Sequence, residues 1–255
     1  MSGQSSRESR RRALEQARQA EARRKRRLRL AAWGGAAVVV VAGIGLGLGL
    51  GLSGSGSSPA SAAGAPLSSL GTLAAAPAPG ALGPENVPIP AAPALAGTSP
   101  TTAGQAIDGI SCDTSEQTLF HIHTHLTIFV NGQARQVPAG IGIPGAVAAQ
   151  TPTGPFIDSG TCFYWLHTHA ADGIIHIESP VKRTYTLGEF FNEWGQPLSQ
   201  SQVGPAHGKV TVIVNGQVFK GDPRDVPLGS HENLQLEVGT PLVAAETINW
   251  SSTGL

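Results

Sequence analysis

Charge is scarce in this chain of 255 residues: only 13% of positions are Asp, Glu, Lys or Arg. Aromatic residues make up 5%, cysteine occurs twice, and the one methionine is Met1. Each shortage excludes something. Two cysteines are too few for a disulfide-dense miniprotein. A lone methionine leaves no thioether set for a Cu(I) carrier. No nucleophile elbow, phosphate-binding glycine loop or HExxH run occurs, so the common hydrolase and kinase chemistries have no support. Long apolar runs are also nearly lacking, which excludes a polytopic membrane protein.

What is plentiful is glycine (33) and proline (19), and a formal charge of zero that conceals a division. Residues 1–30 carry 11 basic and 3 acidic side chains, a net of +8, and the remainder carries 6 and 14, a net of −8. Opposite halves of this kind do not describe one ordinary globular domain, nor a nucleic-acid-binding protein that is basic throughout.

The basic run Arg23-Arg24-Lys25-Arg26-Arg27 leads into residues 31–52, an uncharged apolar stretch. As a helix it would be about 33 Å long, enough for the hydrocarbon core of a bilayer. Flanking basic residues stay on the cytoplasmic side, so residues 1–30 are expected inside and everything after Leu52 outside. The Arg run then reads as a topology signal rather than a nucleic-acid contact. Ala60-Ser61-Ala62 fits a signal-peptide cleavage pattern, but the apolar run exceeds the roughly 7–15 residues of a cleaved signal, which favours an uncleaved single-pass signal anchor. Gly43, Gly47 and Gly51 at four-residue spacing allow close helix approach and a weak homodimer. Residues 53–107 are Ala, Gly, Pro and Ser with one charged side chain, Glu85, and no periodic apolar face. They read as a disordered linker, a tether between membrane and domain.

Residues 108–255 have the size of one domain. The expected fold is β-rich α+β: one helix packed on antiparallel hairpins, β-grasp-like or a small sandwich. Leu119 to Val130 alternates, and Asn131-Gly132 supplies a hairpin turn; Val210 to Val214 with Asn215-Gly216 repeats the device. LTIFVNGQ (126–133) and VTVIVNGQ (210–217) match at five of eight positions. A last strand is expected over Asn233 to Val238. Leu187, Phe190, Phe191 and Trp194 fall on one helical face, with Thr186 and Glu189 as a capping box and Gly195 as terminator. Cys112 and Cys162 are expected to pair, since isolated cysteines outside the membrane suit a disulfide better than a thiolate metal site.

All eight histidines lie in this region, six of them in two segments. In HIHTH, residues His121, His123 and His125 alternate onto one face of a strand, and neighbours two apart can share an ion. In WLHTHAADGIIHIES, a two-residue turn at Asp172-Gly173 would pair His169 with His176 and His167 with Glu178, with Phe163 and Trp165 walling the patch. Glu178, Asp172 and Asp158 are the nearby carboxylates for ligand support or a base. Neutral imidazole suits Zn²⁺ first and Cu²⁺ second. A pH-responsive His face and a plain polar face are the competing readings. His207 and His231 stand alone near turns and read as solvated.

HIHTHLTIFVNGQ, CFYWLHTHAADGIIHIESP, TLGEFFNEWG and NLQLEVG together resemble a family of uncharacterised, membrane-anchored, His-rich bacterial extracytoplasmic proteins. The resemblance spans roughly residues 108–240. It implies a place in a bacterial cell envelope and carries no activity with it. The HxH-on-a-strand pattern is similar to carbonic anhydrases and cupins as a site, not as a chain.

Three functions therefore stand. The first is an anchored domain that captures or buffers Zn²⁺ or Cu²⁺. The second is a metal enzyme whose His-ligated Zn²⁺ carries a water. The third is a structural or interaction domain of the envelope without a metal.

Overall fold

In a computed structural model of the protein, which describes residues 64–98 and 104–255, the alternating segments are strands and the periodic one is a helix. The described residues belong to one unit, Ser57–Leu255. The basic segment, the apolar span 31–52 and its glycines lie outside the described residues. Among the described residues no helix is long and apolar enough to cross a membrane.

In chain order the strands begin with β1 (Ala65–Pro66), β2 (Cys112–Asp113), β3 (Phe120–Val130) and β4 (Gln133–Arg135). They continue with β5 (Val147–Thr151), β6 (Gly154–Ser159), β7 (Phe163–Tyr164), β8 (Leu166–His167) and β9 (Ile174–Ser179). After helix α1 (Leu187–Trp194) come β10 (Leu198–Ser199), β11 (Gln202–Val203), β12 (Ala206–His207) and β13 (Val210–Val214). The chain ends with β14 (Gln217–Val218), β15 (Glu232–Val238) and a short helix α2 (Trp250–Thr253). Eight strands form the main sheet, in the order β1-β14-β13-β15-β3-β9-β8 with β4 beside β3. The central pair β15–β3 is parallel and the remaining pairings are antiparallel, so the protein is a β-rich α+β fold. Asn131-Gly132 and Asn215-Gly216 turn their hairpins with positive φ at both residues, the conformation that matches strand twist.

Helix α1 starts where Thr186 accepts a hydrogen bond from the Glu189 amide and Glu189 reaches back to the Thr186 amide; it stops at Gly195, in the left-handed region. Its buried face, Leu187, Phe190, Phe191 and Trp194, joins Leu126, Ile128, Ile175, Ile177, Leu234 and Leu236 in one core on one side of the sheet. Fully buried apolar side chains of this size each contribute about 1.5–3 kcal/mol, and Trp194→Ala would cost about 3–5 kcal/mol. Cys112 and Cys162 form a disulfide that ties β2 to the approach of β7.

The other face of the sheet is polar and nevertheless buried. It carries His123, His125 and Thr127 on β3, His176 and Glu178 on β9, and Gln235 and Glu237 on β15. Two extended segments lie against the sheet here. Ala74 bridges to Val243, Ala94 bridges to Gln136, and the Leu95 amide donates to the Gln136 carbonyl at 2.9 Å. Glu246 and Ile248 amides donate to Gln235 Oε1 and Asn233 Oδ1. The expected linker over 53–107 is thus corrected across 64–98, and the folded unit begins before residue 108. Composition does not show this order, because it comes from backbone hydrogen bonds with Gln136 and with residues 242–244, which lie far away in sequence. A few anchors, Glu85, Val87 and Leu95, replace a periodic apolar stripe.

Candidate metal centre

Three adjacent strands set the histidines side by side. Pairing of β3 with β9 places His121 opposite Glu178 and His123 opposite His176, while β8 places His167 opposite His176. His123, His176 and His167 therefore form a row across strands about 4.8 Å apart. The register differs from that of a two-residue turn at Asp172-Gly173, which would set His169 opposite His176 and His167 opposite Glu178. After His167 the chain leaves β9 and bonds to the loop before β5. Gly140 donates to the Thr168 carbonyl at 2.8 Å, and the Thr168 hydroxyl donates to the Pro138 carbonyl at 2.8 Å. The alternating pattern is also broken at Trp165: its ring sits in the apolar core and its Nε1 donates to Asp113 at 2.8 Å, so of the two aromatics it is Phe163 that packs against His167. Gly142 permits this close approach. It has φ +70°, and a Cβ there would stand 2.3 Å from the Leu166 carbonyl oxygen and 3.0 Å from the His167 Cβ.

The bend brings His169 back to the row. His167 Nδ1 lies 2.8 Å from the Tyr164 carbonyl oxygen and His169 Nδ1 lies 2.5 Å from that of Ile157. A carbonyl only accepts, so both Nδ1 atoms carry the proton. Burial and neighbouring imidazoles hold both rings below the usual histidine range, hence neutral. Both Nε2 atoms therefore carry lone pairs, and they face each other at 3.1 Å. That is a donor pair for a cation, with tautomers set by backbone acceptors, as metal-binding histidines are commonly held.

On β3, His121 Nε2 lies 2.9 Å from His123 Nε2 and 3.0 Å from Glu178 Oε1. Burial, then the neighbouring imidazoles of His176 and His121, push His123 down to about 3. His176 lies between the pairs, with Nε2 2.7 Å from Glu85 Oε1 and Nδ1 3.3 Å from Glu178 Oε1. Burial alone would lower its pKa, but hydrogen bonds to Glu178 and Glu85 outweigh it and hold the ring up at about 9. Glu178 shows the converse: burial raises it, and hydrogen bonds from His121 and His176 outweigh burial and keep it ionised. Glu178 Oε2 and Glu85 Oε2 are buried without partners.

His121, His123, His176 and Glu178 form one donor group, and His167, His169, His176 and Glu178 another, with donor atoms inside each group within 4.8 Å of one another. These buried His and Glu groups can hold a metal ion. The cluster opens at one rim, where the His121 side chain is 39% exposed and Glu116, 3.5 Å from His169, is 37% exposed.

Not every expected residue joins. His125 is buried apart from the cluster, its Nε2 donating to the Asp172 carbonyl at 3.0 Å. Its Nδ1, Thr127 Oγ1 and Asp172 Oδ2 are buried without partners, and these three residues line a cavity of about 550 Å³ with Arg135 and Glu246. Burial and then Glu85 push the Asp172 carboxyl up to about 8. Asp158 is exposed and accepts from Ser159, away from the donors. His207 and His231 are exposed. Two acids outside the expected set stand at the cluster, Glu85 against His176 and Glu116 beside His169. Glu85 had one signal, as the single charged residue in 53–107; Glu116 had none.

No family profile, curated protein or solved structure matches this chain.

Proposed function

We propose that the protein is a membrane-anchored extracytoplasmic metal-binding protein that captures or buffers Zn²⁺, with Cu²⁺ as second choice, through the histidines of β3, β8 and β9 and the bend after β8. One observation carries this reading: two buried, neutral imidazoles present Nε2 lone pairs to each other at 3.1 Å. Lone pairs at that distance repel unless a cation lies between them. Zinc–nitrogen bonds near 2.0–2.1 Å at tetrahedral angles separate two ligands by about 3.3 Å, close to what these strands supply. The half-exposed rim of His121 and Glu116 gives an ion a route from solvent. The apolar span, its basic flank and the family resemblance support a single-pass anchor in a bacterial cell envelope, with the N-terminus cytoplasmic.

The test is metal analysis of the full chain after exposure to Zn²⁺ and desalting, beside the variant His123→Ala/His167→Ala/His169→Ala. The wild type should retain zinc that the variant loses. If the wild type carries no more metal than the variant, and gains none on titration, the reading fails.

A metal enzyme is the second reading. It is favoured by the cavity at His125 and Asp172, on the same sheet face as the donors, and by a rim where water can reach a bound ion. Turnover would have to vanish with the metal and with the same three substitutions.

A further inference from the structure

The donor atoms fall into two groups, and the two HxH pairs do not share one. His121 and His123 belong to the first, His167 and His169 to the second. An ion with bonds near 2.1 Å holds no two of its ligands farther apart than about 4.2 Å. Each group, with its donors inside 4.8 Å, contracts onto one ion with small side-chain adjustments. Among the described residues, no single group of donors within 4.8 Å takes in both HxH pairs. The strand order explains this: the pairs come from β3 and from β8 and the bend after it, on either side of β9.

The residues common to both groups sit on that central strand, His176 and Glu178. Glu178 is 3% exposed. Its Oε1 is 3.0 Å from His121 Nε2 and 3.3 Å from His176 Nδ1, while its Oε2 is buried with no partner. A carboxylate oxygen buried without a partner is costly, and a cation placed beside it removes that cost. Carboxylates joining two ions are a recurring arrangement in two-metal sites.

We propose that the cluster is a two-ion centre for divalent transition metals. His121 and His123 hold one ion, His167 and His169 hold the other, Glu178 bridges them, and His176 completes one of the two by giving up a ring proton to the solvent as the ion binds. This rests on the metal-binding reading above and sharpens it from capacity for an ion to a stoichiometry and a division of ligands.

The experiment is zinc stoichiometry of the full chain, stripped with chelator, reloaded with Zn²⁺ alone, desalted, and measured as zinc per chain by mass spectrometry. It is run on the wild type, on His121→Ala/His123→Ala and on His167→Ala/His169→Ala, with circular dichroism as the fold check. The expected result is two zinc ions in the wild type and one in each variant. One ion in the wild type overturns the two-ion centre and leaves the metal-binding reading standing; none overturns both. Any other count in a folded variant overturns the division into halves. Should a variant fail to fold, the wild type loaded with Cu²⁺ decides by electron paramagnetic resonance. Two ions bridged by Glu178 give a spin-coupled spectrum, lost in Glu178→Gln, and the spectrum of isolated ions at double occupancy overturns the bridge.

Discussion

Replacing Glu85 with alanine separates two views of the Pro- and Ala-rich segment, as a docked part of the domain or as a tether. Glu85 and His176 are both buried, with side chains 4% and 7% exposed, and their atoms meet at 2.7 Å. Removing one partner of a buried ion pair typically costs about 3–5 kcal/mol, because the other charge is stranded. Two terms reduce this. Glu178 remains near His176 at 3.3 Å, and the repulsion between Glu85 and Asp172 is relieved. The expected net loss is about 3 kcal/mol for the chelator-treated chain. Urea titration followed by tryptophan fluorescence reads it, since Trp165 and Trp194 lie in the core. The sign of the pH dependence follows from His176, held up at about 9 against 6.5 when unfolded. Its contribution is complete below about 6.5 and is lost as pH rises through about 9, so the deficit of the variant should shrink there. A loss under about 0.5 kcal/mol, the range of ordinary surface substitutions, would refute the docking of this segment through Glu85.

Other predictions concern the scaffold. The 50-residue separation of Cys112 and Cys162 makes their disulfide worth about 4 kcal/mol in the chain-entropy model, so Cys112→Ser/Cys162→Ser should lower the urea midpoint accordingly. Burial raises Glu237 from 4.5 to about 7, so its contribution to stability falls as pH rises from about 4.5 through about 7. Glu237→Gln, which keeps an acceptor for Gln235 and Val243, should remove about 2 kcal/mol of that decline between pH 5 and pH 8 in urea titrations. Gly142→Ala places a Cβ 2.3 Å from the Leu166 carbonyl and should destabilise by about 2 kcal/mol or more in urea titration, and weaken zinc retention by displacing His167.

Local rules carried well where local chemistry decides. The cap at Thr186 and Glu189, the stop at Gly195 and the two Asn-Gly hairpins were all legible, because each depends on residues within one turn. The face of β3 that bears the histidines was legible from alternation alone. The partners of His167 and His169 were not. Asp172-Gly173 looks like a two-residue turn, yet the preceding residues find better hydrogen bonds with Pro138, Gly140 and Ile141, which lie far away in sequence. The order of residues 64–98 is hidden from the sequence for a related reason. Their order comes from pairing with Gln136 and Val243 and from one buried carboxylate, and neither leaves a periodic trace in composition. The shared placement of Glu178 and His176 between two HxH pairs also needed the register of three strands.

Whether histidine nitrogens of this cluster bind a metal ion is decided by zinc-edge X-ray absorption on the zinc-loaded full chain. The expected spectrum has a nitrogen and oxygen shell at about 2.0–2.1 Å with the multiple scattering of several imidazoles, lost in His123→Ala/His167→Ala/His169→Ala. A shell without imidazole scattering, or one unchanged by those substitutions, would contradict such binding.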